Sequence, residues 1–347
     1  MVTFLVVLVL LGAVFEFLSL KDNLAKISYH AIPSKLGYEP GEVFQLITTV
    51  ANYGYRAIPL LRLEETFPEG IQNASLLQIR GRQKITRTVQ ASLSKRGVYY
   101  LEGCRLSCGD FLGVRENTKE IRQREEFVIF PELLQSASVL QALSGYYGDF
   151  SARRFYTEDP ILVSSFRSYT GREPMRSISW AQSARKNELM VKEFDHTTEL
   201  SITILLDVYL HWSEGAHAEQ LEYCFSLVRT IADFLEQKRA SYRLLTNSYI
   251  RNGSTFYEVL STPGQGPNHY TTLLFTLARS IPDSFRSIDD LYQMVIRSYS
   301  GENAIFYVAP FENEKRDKLV KSLKDRLSCQ IYSFYASKEM EGEQDDC

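Results

Sequence analysis

The clearest pattern along the chain lies at its start. Residues 2–20, VTFLVVLVLLGAVFEFLSL, are apolar apart from Thr3, Glu16 and Ser19. A helix needs about 20 such residues to cross a bilayer, so residues 1–22 are expected to form a transmembrane helix. No basic n-region and no small-x-small cleavage site mark a signal peptide. Lys21, Lys26 and Lys35 follow the segment and no Lys or Arg precedes it. The positive-inside bias then gives a single-pass protein of the cell membrane with its bulk in the cytoplasm.

The pattern changes to period two after the apolar segment. In VFQLITTVANYG, Phe44, Leu46 and Val50 fall on one face and Tyr53-Gly54 ends the run. Pro68-Glu69-Gly70 marks another turn. In KITRTVQASLSKRGVYYL, Ile85, Val89, Ala91 and Leu93 share a face, with Arg87 the exception, and Lys95-Arg96-Gly97 turns the chain into VYYLEG. FVIFPE closes the series at Pro131. Short alternating strands with such turns predict an Ig-like β-sandwich over residues 24–132.

Residues 133–195 lack strong periodicity and read as a connector. They end in SYTGREPMRSISWAQSARKNELMVKEFD, where cations crowd around Trp180. From Ser201 the apolar run SITILL reads as a buried parallel strand. Leu221, Phe225, Val228, Ile231 and Leu235 then recur at helical spacing. YRLL, AIFYVAP and CQIYSFY read as further strands. TTLLFTLARS, SIDDLYQMVIRSY and EKRDKLVKSLKDRL read as helices. Alternating strands and helices predict an open, doubly wound, Rossmann-type α/β domain over residues 196–337, with an acidic tail at 338–347.

Composition narrows the function. With 347 residues there is room for two domains and a short extra segment. The balance of 39 Lys+Arg against 42 Asp+Glu, net charge -3, does not suggest nucleic-acid binding, which brings a basic domain. Cys104, Cys108, Cys224, Cys329 and Cys347 have no zinc-site spacing and read as reduced structural thiols. Nucleophile-elbow, zincin, P-loop and dinucleotide-binding motifs are absent from the sequence. His30, His196, His211, His217 and His269 are dispersed. No cofactor is expected and the chain reads as non-enzymatic.

Four stretches carry a family resemblance. RGVYYLEGCRLSCGDFLGV, FVIFPE, FRSYTGREPMRSISWAQSARKNELMVKEFD and SITILLD resemble, in order, segments of the bacterial domain of unknown function 58 family. The long third stretch is the specific one: Tyr169, Gly171, Arg176, Trp180 and Arg185 fall on the family's signature. The resemblance implies a membrane-anchored protein with a β-rich domain followed by a von Willebrand factor A-like domain. It also implies association with MoxR-type AAA+ ATPases and no established enzymatic activity. Von Willebrand factor A domains often hold a divalent cation after the first strand. Here Asp207 is kept, but Tyr209 and His211 replace the hydroxyl ligands, with Thr271 or Thr272 a candidate threonine. Such a degenerate set is expected to bind no metal, because hard cations need several oxygen ligands.

Two readings of the Arg/Trp motif stay open. On one helix, Arg176 and Trp180 would be four apart and share a face, with Met175, Ile178 and Ala181 packing inward. That makes a structural clamp with a buried tryptophan and paired cations. The other reading is an exposed docking or anion site. The chain as a whole reads as a membrane-anchored, non-enzymatic adaptor for a protein partner such as a MoxR-type ATPase. The alternatives are a hydrolase or transferase with an unrecognised site near the motif, and an envelope-binding module.

Overall fold

The structure is a computed structural model that describes residues 24–67, 72–109, 116–154, 163–171, 173–194, 200–210, 218–252, 255–260, 262–284, 286–327 and 329–345. The chain divides into two compact units, Met1–Pro131 and Glu132–Cys347.

The first unit is a β-sandwich. Its strands are β1 (Ile27–Pro33), β2 (Gly37–Tyr38), β3 (Val43–Asn52), β4 (Ile58–Thr66), β5 (Gln72–Ile79), β6 (Lys84–Ser92), β7 (Gly97–Gly109) and β8 (Glu116–Ile129). One sheet has the order β1-β3-β6, the other β2-β8-β7-β4-β5. Alternation decides which side chains point inward. On β3, Phe44, Leu46, Thr48 and Val50 are buried. Phe44 stacks on Tyr38 at 4.4 Å between ring centroids, and both rings meet Phe127 of β8.

Two polar side chains fasten the sandwich. The Gln123 amide on β8 accepts from the Ala31 N–H at 2.8 Å and donates to the Ala31 carbonyl at 2.5 Å, joining a strand of each sheet. Lys119 donates to the carbonyls of Leu24, Ala25 and Ile27. Arg87, the break in the apolar alternation of β6, also has a structural reason. It donates to Ser75 Oγ at 2.7 Å and lies 4.0 Å from the buried Glu65 carboxylate. Glu65 accepts from Tyr29 Oη at 3.0 Å and Asn73 Nδ2 at 3.1 Å. Burial first, and then the Glu65 charge, push the Tyr29 phenol far above its ordinary range, so it stays a donor.

The second unit opens with α1 (Ala137–Arg154), then β9 (Val163–Ser168), α2 (Trp180–Lys186), β10 (Met190–Phe194) and β11 (Ser201–Leu206). There follow α3 (Ala218–Gln237), β12 (Ser241–Asn252), β13 (Thr255–Leu260), α4 (Pro267–Arg279), β14 (Ser280–Ser284) and α5 (Ile288–Ser298). The unit ends with β15 (Ala304–Ala309), α6 (Glu314–Arg326), β16 (Gln330–Tyr335) and α7 (Ala336–Asp345). Its main sheet has the order β13-β12-β11-β15-β16, with β14 also on β12. One core packs α1, α3 and α4 against Ile202, Ile204, Leu206, Phe306 and Phe334. A second core packs α5 and α6 against Leu205, Ile305, Tyr307 and Ile331.

The structure corrects the expected architecture at four points. Among the described residues no helix is long and apolar enough to cross a membrane. The expected span, residues 1–22, lies outside the described residues, and the single-pass membrane protein with a cytoplasmic bulk is withdrawn. The α/β sheet is mixed rather than parallel throughout, because β13 and β14 pair antiparallel with β12. SIPDS, five residues with a proline and an aspartate, is too short and too polar to announce a strand by periodicity, and TFYEVL was not singled out. The stretch 133–195, read as a connector without strong periodicity, lies in the second unit, where Val139 and Leu143 of α1 belong to the α/β core. The tail at 338–347 is helical as far as Asp345 in α7.

A buried ion pair also braces the second unit. Arg243 of β12 pairs with Glu302, and it donates to Thr203 Oγ1 at 3.0 Å and to the Ser298 carbonyl at 2.9 Å. Glu302 in turn accepts from the Ser300 N–H and hydroxyl.

Two substitutions test these constraints. Gly103 on β7 has φ of +108°, and a Cβ there would lie 2.0 Å from the Ile121 carbonyl oxygen. Gly103→Ala is expected to destabilise the sandwich by about 2 kcal/mol or more, as positive-φ strain and a backbone clash add. Urea unfolding of the full chain measures it. Glu302→Ala strands a buried guanidinium, and an unfolding midpoint lowered by about 3–5 kcal/mol of stability is the expected reading.

Candidate functional site

The Arg/Trp motif folds as a small unit of its own. β9 and β10 pair antiparallel, Met190 opposite Ser168 and Val191 opposite Arg167. Between them lie a 3-10 turn at Met175–Ser177 and the short helix α2. Ile178 bridges Val191 in extended conformation, and the Ser179 N–H donates to the Met190 carbonyl at 2.8 Å. Ser183 Oγ donates to the Ser179 carbonyl and accepts from the Met190 N–H, both at 2.8 Å. The Tyr169 N–H donates to the Leu189 carbonyl at 2.8 Å. Gly171 has φ of +90°, a conformation that glycine adopts without strain. Glu173 closes the loop by accepting from Thr170 Oγ1 at 2.7 Å and from Arg167. The Thr170 bond first, then the Arg167 bond, hold its carboxyl down to about 2.

The exposed face of this element carries Arg176, Trp180 and Arg185, while Tyr169 is half-buried. Trp180 is 62% exposed and Met175 65%. Arg176, Arg185 and Lys186 are exposed too. This corrects the clamp reading. Arg176 sits in the 3-10 turn and Trp180 opens α2, with Ile178 extended between them, so the two do not share a helix face. Ile178 is buried, but Met175 and Ala181 are not. The motif's spacing was read as one continuous helix, and the extended residues 178–179, held to β10, interrupt it.

The second candidate lies where β11 ends, and it is buried. Asp207 is 0% exposed, and all its acceptor capacity is directed at the protein. Its Oδ1 accepts from Asn247 Nδ2 at 2.8 Å and from the Tyr209 N–H at 2.9 Å. Its Oδ2 accepts from Tyr307 Oη at 2.9 Å and Arg316 Nε at 3.0 Å. The Asn247 carbonyl oxygen accepts from the Val208 N–H at 2.9 Å, which fixes the amide's orientation. Burial first and the Asp207 charge next drive the Tyr307 phenol far up, so it remains a donor. Arg316 is fully buried, donates onward to the carbonyls of Phe311 and Tyr209, and lies 4.5 Å over the Phe311 ring.

This donor set does not fit the divalent cation that the resemblance implies. A metal needs free carboxylate lone pairs, and each Asp207 oxygen already accepts two hydrogen bonds, one from a guanidinium. Tyr209 contributes its backbone, not its phenol. Thr271 is exposed on α4, with its hydroxyl donating to the Pro267 carbonyl at 2.7 Å. His211 lies outside the described residues. Among the described residues no group of three or more His, Cys, Asp or Glu is placed to hold a metal. A groove of about 420 Å³ at this edge is lined by Tyr209, Ser287, Tyr292, Lys315 and Lys318, with Arg316 outside its lining.

Asn247, Tyr307 and Arg316 were not singled out in the sequence. Arg316 left a trace there: with Leu319, Val320 and Leu323 it lies on the inward stripe of α6 at helical spacing. A cation on an apolar stripe calls for a buried anion.

No family model matches the chain. It is similar to the uncharacterized protein YeaD of Bacillus subtilis (strain 168), 20% identical over 177 residues, 49% of this chain and 44% of that protein. The match thus spans less than half of that relative. Among solved structures, the CARDB domain of the PF1109 protein from Pyrococcus furiosus, in complex with di-metal ions, aligns with 30% of this chain and 91% of its own at 8% identity and a TM-score of 0.23. The sporulation control protein Spo0M from Bacillus subtilis aligns with 42% of this chain and 58% of its own at 10% identity and a TM-score of 0.19.

Proposed function

We propose that this protein is a non-enzymatic adaptor that captures a protein partner through the exposed Arg/Trp element between β9 and β10. The observation that carries the reading is Trp180, 62% exposed on a backbone fixed by internal hydrogen bonds. Exposed tryptophan and arginine on a rigid support have the composition of a binding hot spot. Rigidity matters because little backbone freedom is left to lose on association. The cations Arg176, Arg185 and Lys186 around the ring call for an acidic partner surface. The family resemblance supplies the partner class, a MoxR-type AAA+ ATPase.

The enzyme alternative gains no support at this element. The Ser179 carbonyl and the Ser183 hydroxyl are committed to backbone structure. What the element offers is an aromatic surface and a fixed set of charges.

Trp180→Ala and Arg185→Glu, made in the full chain, separate docking from stability. Melting temperatures within about 2 °C of wild type are expected, since exposed substitutions usually change stability by about 0.5 kcal/mol or less. Affinity for a purified MoxR-type ATPase, read by surface plasmon resonance, should fall about thirtyfold or more for Trp180→Ala, the cost of a hot-spot residue. Unchanged affinity in both variants would remove the element from the interface.

A further inference from the structure

The β-sandwich leaves one long edge open. β6 pairs with β3 along its whole length, from Ala51 opposite Lys84 to Val43 opposite Ser92, without a register shift. Among the described residues no strand pairs with its other edge. The far edge of the same sheet is finished differently. β1 ends in Pro33, and Gln123 and Lys119 of β8 take the Ala31 N–H and the carbonyls of Ala31 and Ile27. Proline, charge and bulges are the usual protection of an edge strand. β6 has no proline, glycine or bulge, and Lys84 is the one charge on its outward face.

The strand is also complementary to itself. Lys84, Thr86, Thr88, Gln90 and Ser92 are exposed, while Ile85, Arg87, Val89 and Ala91 are half-buried at the rim of the core. An antiparallel copy turned about a two-fold axis at Thr88 sets Thr88 opposite Thr88, Thr86 opposite Gln90 and Lys84 opposite Ser92 on the outward face. On the inward face Ile85 then meets Ala91, and Arg87 meets Val89. Residues directly opposite share a face, so the two cores line up and no like charges stand opposite each other. Arg87 keeps Ser75 and Glu65 of its own copy as partners. An axis at Arg87 would set two guanidinium groups opposite, and an axis at Val89 would leave Lys84 and Ile85 without a partner. The neighbouring open edge, β5, has a less regular ladder, with a register shift on β4 between Ile58 and Leu61.

We propose that β6 is a dimer edge, through which two copies of this chain pair antiparallel along Lys84–Ser92 and join two sheets into one of the order β1-β3-β6-β6-β3-β1. Pairing gives main-chain partners to the N–H and C=O groups on the open edge. The second copy also covers the half-buried Ile85, Val89 and Ala91. The assembly closes at two copies, because each uses the same strand about one two-fold axis. It uses the first unit alone and rests on no part of the docking reading.

Light scattering of the full chain after gel filtration reads the mass, and an introduced cysteine reads the register. Wild type should run as a dimer at tens of micromolar. Thr88→Lys sets two lysines opposite each other at an exposed position and should weaken the dimer about fivefold or more. Thr86→Lys combined with Gln90→Glu sets opposite charges across the pair and should keep the dimer, whereas Thr86→Lys combined with Gln90→Lys should weaken it. In a Cys347→Ser background, Thr88→Cys should form an intermolecular disulfide under mild oxidation, because opposite Cα atoms lie about 4.5–5.5 Å apart, within disulfide range. Gln45→Cys, exposed on β3, should form none. A wild type that stays monomeric at those concentrations would overturn the proposal. So would a dimer that Thr88→Lys leaves at full strength, or one that Thr88→Cys fails to link.

Discussion

The α/β unit depends on one buried ion pair, Asp207 with Arg316. The Asp207 carboxylate stands where β11 ends, and its four hydrogen bonds reach β12 through Asn247, β15 through Tyr307, its own loop through Tyr209 and α6 through Arg316. The Asp207 N–H adds a bond to the Val308 carbonyl at 2.9 Å. Each partner removes part of the cost of burying a charge, and none does so alone. The guanidinium also donates to the loop carbonyls of Phe311 and Tyr209. One pair thus ties the end of β11 to β12, to β15 and to the first turn of α6.

The same solution recurs elsewhere in the molecule. Arg243 and Glu302 brace the second unit, and Glu65 sits among Tyr29, Asn73 and Arg87 inside the sandwich. Buried pairs of this kind add little net stability over apolar packing, but breaking one is costly. The docking element is built differently. Its backbone is closed by short hydrogen-bonded links, and Arg176, Trp180 and Arg185 are exposed on it rather than packed into a core.

Much of the fold was legible because periodicity reports burial. Phe44, Leu46 and Val50 announced β3, and Leu221, Phe225, Val228 and Ile231 announced α3, since these faces must leave water. What periodicity missed were elements without an apolar pattern. β14 is five residues long, and α1 alternates apolar with polar residues too irregularly to declare its inward face. The Arg/Trp motif was read as one helix, and Ile178-Ser179 interrupt it. The extended pair Ile178-Ser179 is set by pairing with β10, a contact that lies more than ten residues away in sequence. At the second site the sequence showed a carboxylate without its expected hydroxyl ligands. It did not show what balanced the charge, because Arg316 is 109 residues from Asp207. Only a cation on the inward stripe of α6 hinted at it.

A double-mutant cycle on Asp207→Asn and Arg316→Gln, followed by urea unfolding of the full chain, tests the central claim most directly. Each single variant should be strongly destabilised, because each leaves its partner buried and unbalanced. The double variant should be far less unstable than the sum, with a coupling of about 2–3 kcal/mol, the upper range for residues in direct contact. Additive effects, with coupling near zero, would mean that the pair does not hold this edge of the sheet.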